Sequence, residues 1–176
     1  GIVENSIDAV GSRDFILETM AVLTIIAVNL SRLAEDLIVW SSQDFGIVEL
    51  PDGFASTSSI MPQKKNPDVL EVIRARVSHI LGNFVASAAT MKALPSSYNM
   101  DLQEITPKLW ESLETVTGSL EMLSKLVTDL KVSKNAFDKP ILSFSASTEL
   151  ANMLVRKHGV PFRTAHKIVG SLVKTL

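Results

Sequence analysis

The stretch RDFILETMAVLTIIAVNLSRLAEDLIVWSSQ, Arg13 to Gln43, decides the fold. Apolar residues recur in it at Ile16, Met20, Leu23, Ala27, Leu30, Leu33, Leu37 and Trp40. Steps of three and four place them on one face of a helix. No glycine or proline interrupts the run. At about 1.5 Å per residue it predicts a helix roughly 45 Å long. A periodic pattern of that length points to a coiled-coil-like bundle. Its most apolar part, Met20 to Leu30, contains Thr24 and Asn29 and is followed by Arg32, Glu35 and Asp36. A membrane span wants about 20 mostly apolar residues, so the reading is against one.

Two further patterns of this kind follow. Asn66 reads as an N-cap and Pro67 as the first residue of a second helix. Asp68 and Glu71 then complement the helix dipole. Its seam runs through Leu70, Ile73, Val77, Ile80, Phe84, Ala88 and Met91. Val69, Val72, Leu81 and Val85 widen that seam, which predicts burial on more than one side. The third helix reads Leu102, Ile105, Leu109, Leu113, Val116, Leu120, Leu123, Val127 and Leu130, with Pro107 near its start. Residues 44 to 65 lack periodicity and read as a long loop, punctuated by Gly46, Pro51, Gly53 and Pro62. Residues 92 to 99 form another break. Beyond Leu130, Asn135 to Pro140 is turn-like. A shorter helix from about Ser147 to Lys157 stops at Gly159, and Pro161 begins another carrying Ala165, Ile168, Val169 and Leu172. The expected fold is all-α. Residues 1–130 belong to a long-helix bundle with a loop at 46–65, and 131–176 begin a smaller, truncated helical domain.

Composition narrows the function. Of 176 residues 46% are hydrophobic and only 20% charged, so apolar surface exceeds what a small monomer's core hides. That predicts partner helices. The net charge of -2 shows no basic field of the kind nucleic-acid binders carry. With no cysteine, disulfides and thiolate metal sites are excluded, and a reducing compartment is compatible. His79, His158 and His166 are scattered and give no metal-ligand spacing. Phosphate-cradling glycine loops and nucleophile elbows are absent from the sequence. The chain opens on Gly1 and stops at Leu176 inside an apolar-periodic segment, which predicts an excised piece of a longer protein.

The loop from 56 to 66 carries the chemistry. It presents Ser58 and Ser59, then Lys64, then Asn66 at a helix start. A helix N-terminus and an ammonium group both favour an anion. A capped helix behind a plain surface loop is the alternative on physics alone.

Ser58-Ser59-Ile60-Met61-Pro62-Gln63-Lys64-Lys65-Asn66-Pro67 resembles the signature of the fumarase/aspartase superfamily, and its Gln63 to Asp68 continuation resembles argininosuccinate lyases in particular. Similar blocks are Leu94 to Glu104, Asn5 to Val10 with Arg13-Asp14-Phe15, and Arg156-Lys157 with Pro161 to His166. The resemblance spans essentially the whole chain. It implies a cytoplasmic enzyme of arginine biosynthesis. Its reaction is a reversible β-elimination that splits argininosuccinate into arginine and fumarate, without cofactor or metal. It also implies a homotetramer around a shared helical bundle, each site combining residues from three subunits.

By match to the motif, Ser58 is the base that removes a proton beside a carboxylate. A helix N-terminus contributes at most about 2 kcal/mol, roughly 1.5 pKa units. A nearby cation adds about 1–3 units. Together these leave serine mostly protonated. Lys64 and the helix start are therefore expected to act chiefly by stabilising the aci-carboxylate dianion as it forms. Glu71 is expected to hold Lys64 by an ion pair. Ser59 and Asn66 are expected to meet substrate carboxylates, and Tyr98 and Gln103 the arginine side. Two positions depart from the pattern: Thr57 stands where relatives usually have glycine, and Thr106 where many carry lysine. None of the three histidines matches the family's acid-side histidine, so the isolated chain is expected to be inactive. Three other readings compete: another superfamily lyase, such as adenylosuccinate lyase; a non-catalytic, crystallin-like structural protein; and a plain helical oligomerisation module.

Overall fold

A computed structural model describes residues 2–57, 65–134 and 146–175. Among these are six α-helices: α1 (Ser6–Gly11), α2 (Asp14–Ser41), α3 (Asp68–Met91), α4 (Ile105–Asp129), α5 (Ser147–His158) and α6 (Phe162–Thr175). The chain divides into two compact units. One comprises residues 1–39 and 50–130, the other residues 40–49 and 131–176.

In the first unit three clusters of buried side chains fix how the long helices run. Ile16 and Met20, at the start of α2, meet Leu102 and Ile105 at the start of α4, with Met91 from the end of α3 packed alongside. Leu23 and Ala27 meet Ile80 and Val116 midway. Ala34 and Leu37, near the end of α2, meet Leu70 and Ile73 at the start of α3 and Leu123 and Leu126 at the end of α4. So α2 and α4 run parallel, with α3 antiparallel to both. Where α4 faces α3 it buries Ser112 and Ser119, small enough for close approach, and Asn83 Nδ2 of α3 donates to Ser112 Oγ at 3.4 Å. The Ser112 and Ser119 hydroxyls each donate to the carbonyl four residues earlier, at 2.7 Å, which satisfies them inside the helix.

The helices bury most of the expected seams, with departures at single positions. In α2 the buried stripe is Ile16, Met20, Leu23, Ala27, Ala34 and Leu37, while Leu33 and Trp40 are exposed. In α4 it is Ile105, Ser112, Val116, Ser119, Leu123 and Leu126, while Leu120 and Val127 are about half exposed. The reading by size of side chain followed leucine and valine. The packing instead chose small residues where the helices approach closely. Likewise Val72, Leu81 and Val85 of α3 are about half exposed in the single chain. Among the described residues α2 alone is long and apolar enough to cross a bilayer, with mean hydropathy 1.6 over its best window. Core helices of water-soluble bundles pass the same test.

Three local expectations are corrected. Asn66 is not a helix cap: Lys65–Asn66 forms a strand antiparallel to Ser56–Thr57, with Asn66 opposite Ser56. The helix starts after Pro67, whose carbonyl accepts the Glu71 N–H at 3.0 Å. Leu102 lies not in the third helix but in a 3-10 turn, Met100–Gln103, and Pro107 falls in the first turn of α4, where its missing N–H leaves no bond unmade. The stretch read as a loop holds a second small ribbon too, Val48–Glu49 paired with Lys131–Val132 in the second unit.

In that unit α5 and α6 form a hairpin around Ala151, Ala165 and Val169. Gly159 ends α5 in the left-handed region at φ 65, as the sequence predicts. Its N–H bonds the Val155 carbonyl at 3.0 Å. The turn-like stretch 135–140 lies outside the described residues.

Candidate active-site arms

Two arms carry the residues singled out by sequence. The first precedes α3. Ser58, Ser59 and Lys64 lie outside the described residues. What is described is their base: the 56–57/65–66 ribbon, closed by an ion pair of 2.6 Å between Lys65 Nζ and Asp52. A two-residue ribbon delivers both ends of the 58–64 stretch to the N-terminus of α3, beside Asn66, which is partly buried. Glu71, one turn into α3, is exposed and makes no ion pair among the described residues. The expected bond from Glu71 to Lys64 thus lies outside what is described.

The second arm follows α3. Gln103 Nε2 donates to the Tyr98 hydroxyl at 3.0 Å, and that hydroxyl donates to Met100 Sδ at 3.6 Å. The two expected arginine-side residues are therefore hydrogen-bonded to each other, and both are exposed. Sequence reasoning missed Met100, because a methionine at an exposed position carries no polar signal of its own. It also missed what shapes the turn. Ser97 has φ 75, the only positive value outside glycine among the described residues. Asn99 Nδ2 donates to the carbonyls of Pro95 at 3.0 Å and Ser97 at 3.3 Å. Here α1 meets the turn along a cleft of about 340 Å³ lined by Asn5, Asp8, Asp14, Ser96 and Asn99 among others.

The described parts of the two arms lie apart. They flank α3, which is 24 residues long, or about 36 Å. Asn66 sits at one end. Tyr98 and Gln103 sit at the other, where Leu94 and Leu102 pack with Ile16 and Ile105. No cluster of histidine, aspartate and glutamate able to hold a metal occurs among the described residues.

Comparison with known proteins gives a consistent picture. A family model described as lyase matches residues 1–82, and one described as argininosuccinate lyase C-terminal matches residues 144–176. The argininosuccinate lyase of Methanothermobacter thermautotrophicus is 51% identical over 97% of this chain and 37% of its own length. That of Methanocaldococcus jannaschii is 49% identical over 98% of this chain and 36% of its own. The chain thus spans little more than a third of the curated relatives it matches. Among solved structures, an EDDS lyase in complex with formate superimposes with a TM-score of 0.80 at 34% identity, over 99% of this chain and 35% of that one. A class II fumarase from Schistosoma mansoni gives 0.82 at 24% identity, over 98% of this chain and 36% of its own, which speaks for the fold alone. With ordered blocks from Asn5 to His166, a helical fold and about half of all positions shared, the chain belongs to the argininosuccinate lyase family of the fumarase/aspartase superfamily.

Proposed function

We propose that this chain is part of a lyase that reversibly cleaves argininosuccinate to arginine and fumarate. The observation that carries this is the near-50% identity to argininosuccinate lyases along nearly the whole chain. The alternatives, an adenylosuccinate lyase or a crystallin-like structural protein, have no such support.

In this reading Ser58 takes the proton from the carbon beside a succinate carboxylate. Its electron pair delocalises into that carboxylate as a dianion. Collapse of the dianion forms the carbon–carbon double bond of fumarate and breaks the bond to the guanidinium nitrogen, which receives a proton from an acid group outside this chain. Lys64 and the N–H groups at the start of α3 offset the dianion's charge where it develops. Glu71 holds Lys64. Ser59 and Asn66 bind carboxylate oxygens, and Tyr98 with Gln103 binds the arginine end. Neither metal nor cofactor is required, since the carboxylate itself stores the charge.

Residues 1–130 belong, in this proposal, to a central bundle, and 131–176 begin the C-terminal helical domain. The protein works as a soluble cytoplasmic homotetramer in arginine biosynthesis. The half-exposed apolar side chains Val22, Ile25, Val72, Leu81 and Val85 support association with further copies. The 176-residue chain by itself is inactive, lacking the acid. The test follows fumarate by ultraviolet absorbance after adding argininosuccinate to the isolated chain and to the full-length protein that carries it. Turnover by the full-length protein alone is expected. No turnover by the full-length protein overturns the assignment.

A further inference from the structure

Behind Tyr98, the backbone of Ser97 lies against Gly11 of α1. Resting on the reading that Tyr98 and Gln103 bind the arginine end, we propose that Gly11 is a positioning residue for this arm, setting the substrate affinity through the backbone of Ser97.

Ser97 immediately precedes Tyr98 and adopts φ 75. That region is unfavourable for a residue with a β-carbon and persists only where the surroundings impose it. Two contacts impose it here. Asn99 Nδ2 bridges the turn from within, to the carbonyls of Pro95 and Ser97. Gly11, the last residue of α1, abuts it from outside: a β-carbon at Gly11 would stand 2.9 Å from the Ser97 carbonyl oxygen and 3.2 Å from the Ser97 nitrogen. Both are backbone atoms with no rotamer to move aside. So α1 can lie against the turn only with glycine at this position.

α1 is closed at both ends by local hydrogen bonds. Asn5 Oδ1 accepts from the Asp8 N–H at 3.2 Å, and Arg13 Nη1 donates to the carbonyls of Val10 and Ser12 at 3.0 and 2.7 Å. A β-carbon at position 11 forces α1 and Ser97 apart, and a shift of Ser97 passes to its neighbour Tyr98. Gln103 follows Leu102, which is buried with Ile16 and Ile105, so it stays in place while Tyr98 moves and their bond is broken. Misplacing a binding group by about 1 Å is enough to lose most of its contribution.

Tyr98 is the chain's single tyrosine, which makes its ring signals unambiguous by NMR. Gly11→Ala and Asn99→Ala are compared with Gly82→Ala, where an added β-carbon meets nothing within 4 Å. Both turn variants are expected to lose the cross-peak between the Tyr98 ring and the Gln103 amide while far-ultraviolet circular dichroism stays helical. Gly82→Ala is expected to keep it. In the full-length protein, Gly11→Ala is expected to raise KM about tenfold with kcat within about twofold, the pattern of lost uniform binding. Should Gly11→Ala not fold, Asn99→Ala decides by the same two readouts. A cross-peak that survives in the folded turn variants overturns the proposal. So does an unchanged KM. If Tyr98→Phe then raises KM, the positioning role alone has failed; if it does not, the substrate reading of Tyr98 has failed with it.

Discussion

Two leucines on α4 separate the packing seen here from the seam that leucine spacing suggests. Leu126 is fully buried among Leu37, Leu70 and Leu123, whereas Leu120 is 45% exposed. Both lie in the same helix, so replacing either with alanine changes helix propensity equally, by a few tenths of a kcal/mol at most. For Leu126→Ala the transfer loss is about three carbons at roughly 0.8 kcal/mol each, near 2.4 kcal/mol. The cavity left in a close-packed cluster brings the total to about 3–4 kcal/mol. For Leu120→Ala about half of the transfer loss applies and solvent fills the space, which gives about 1 kcal/mol. With a urea slope of about 2 kcal/mol per molar, the midpoints fall by roughly 1.5–2 M and 0.5 M. The assay is urea unfolding of the 176-residue chain by circular dichroism, at a concentration where sedimentation reports a monomer. Equal losses in that monomer would refute the packing phase assigned to α4. The same pair also reads assembly. If Leu120 lies at a contact between copies, its alanine variant costs more as protein concentration rises, and Leu126→Ala does not.

Gly159→Ala is expected to destabilise the α5–α6 hairpin by about 1–2 kcal/mol, because φ 65 disfavours any β-carbon. Differential scanning calorimetry should show the loss in the second unit's transition only. Asp52→Asn is expected to change global stability by less than about 1 kcal/mol, since its pair with Lys65 is largely exposed; a larger fall in the urea midpoint would mean that the ribbon is cooperative with the bundle. In the full-length protein, Ser58→Ala is expected to lower kcat at least about a hundredfold, the scale of a lost proton-transfer group, with the size-exclusion profile unchanged. Loss of assembly in that variant would point to a scaffold role for the 58–64 stretch.

Helix boundaries were legible because they rest on local physics. The 28-residue α2 follows from an unbroken apolar period, and the end of α5 from glycine after a basic last turn. Phase was less legible. Which face of α4 is buried depends on where α3 approaches it, and α4 meets that approach with Ser112 and Ser119, which no hydrophobic pattern scores. The candidate site divides the same way. Tyr98 and Gln103 stand out by their block, and their mutual hydrogen bond follows from five residues of separation. Gly11 does not stand out, because its role comes from Ser97, far along the chain. Asn66 misleads, since Asn-Pro before an acidic turn is a sound helix signal, yet pairing with Ser56 claims the backbone first.

The distance between the arms has a consequence for assembly. Asn66 lies just before the start of α3 and Tyr98 with Gln103 in the turn beyond its end, about 36 Å away for 24 residues. A substrate the size of argininosuccinate does not bridge that gap, and α3 packs along its length against α2 and α4, so it does not fold back to close it. If Asn66 and Tyr98 serve one reaction, they come from different copies. This gives a test that needs no structure of the assembly. A Ser58→Ala protomer and a Gln103→Ala protomer of the full-length protein are each expected to be nearly inactive alone. When they are unfolded together and reassembled in equal amounts, each shared site draws its two arms independently, so about a quarter of sites receive both arms intact, whatever the closed symmetry. Recovery of about a quarter of wild-type activity is expected. Were both arms supplied by one copy, every site would carry one damaged arm and mixing would restore nothing; that result would refute a site shared between copies.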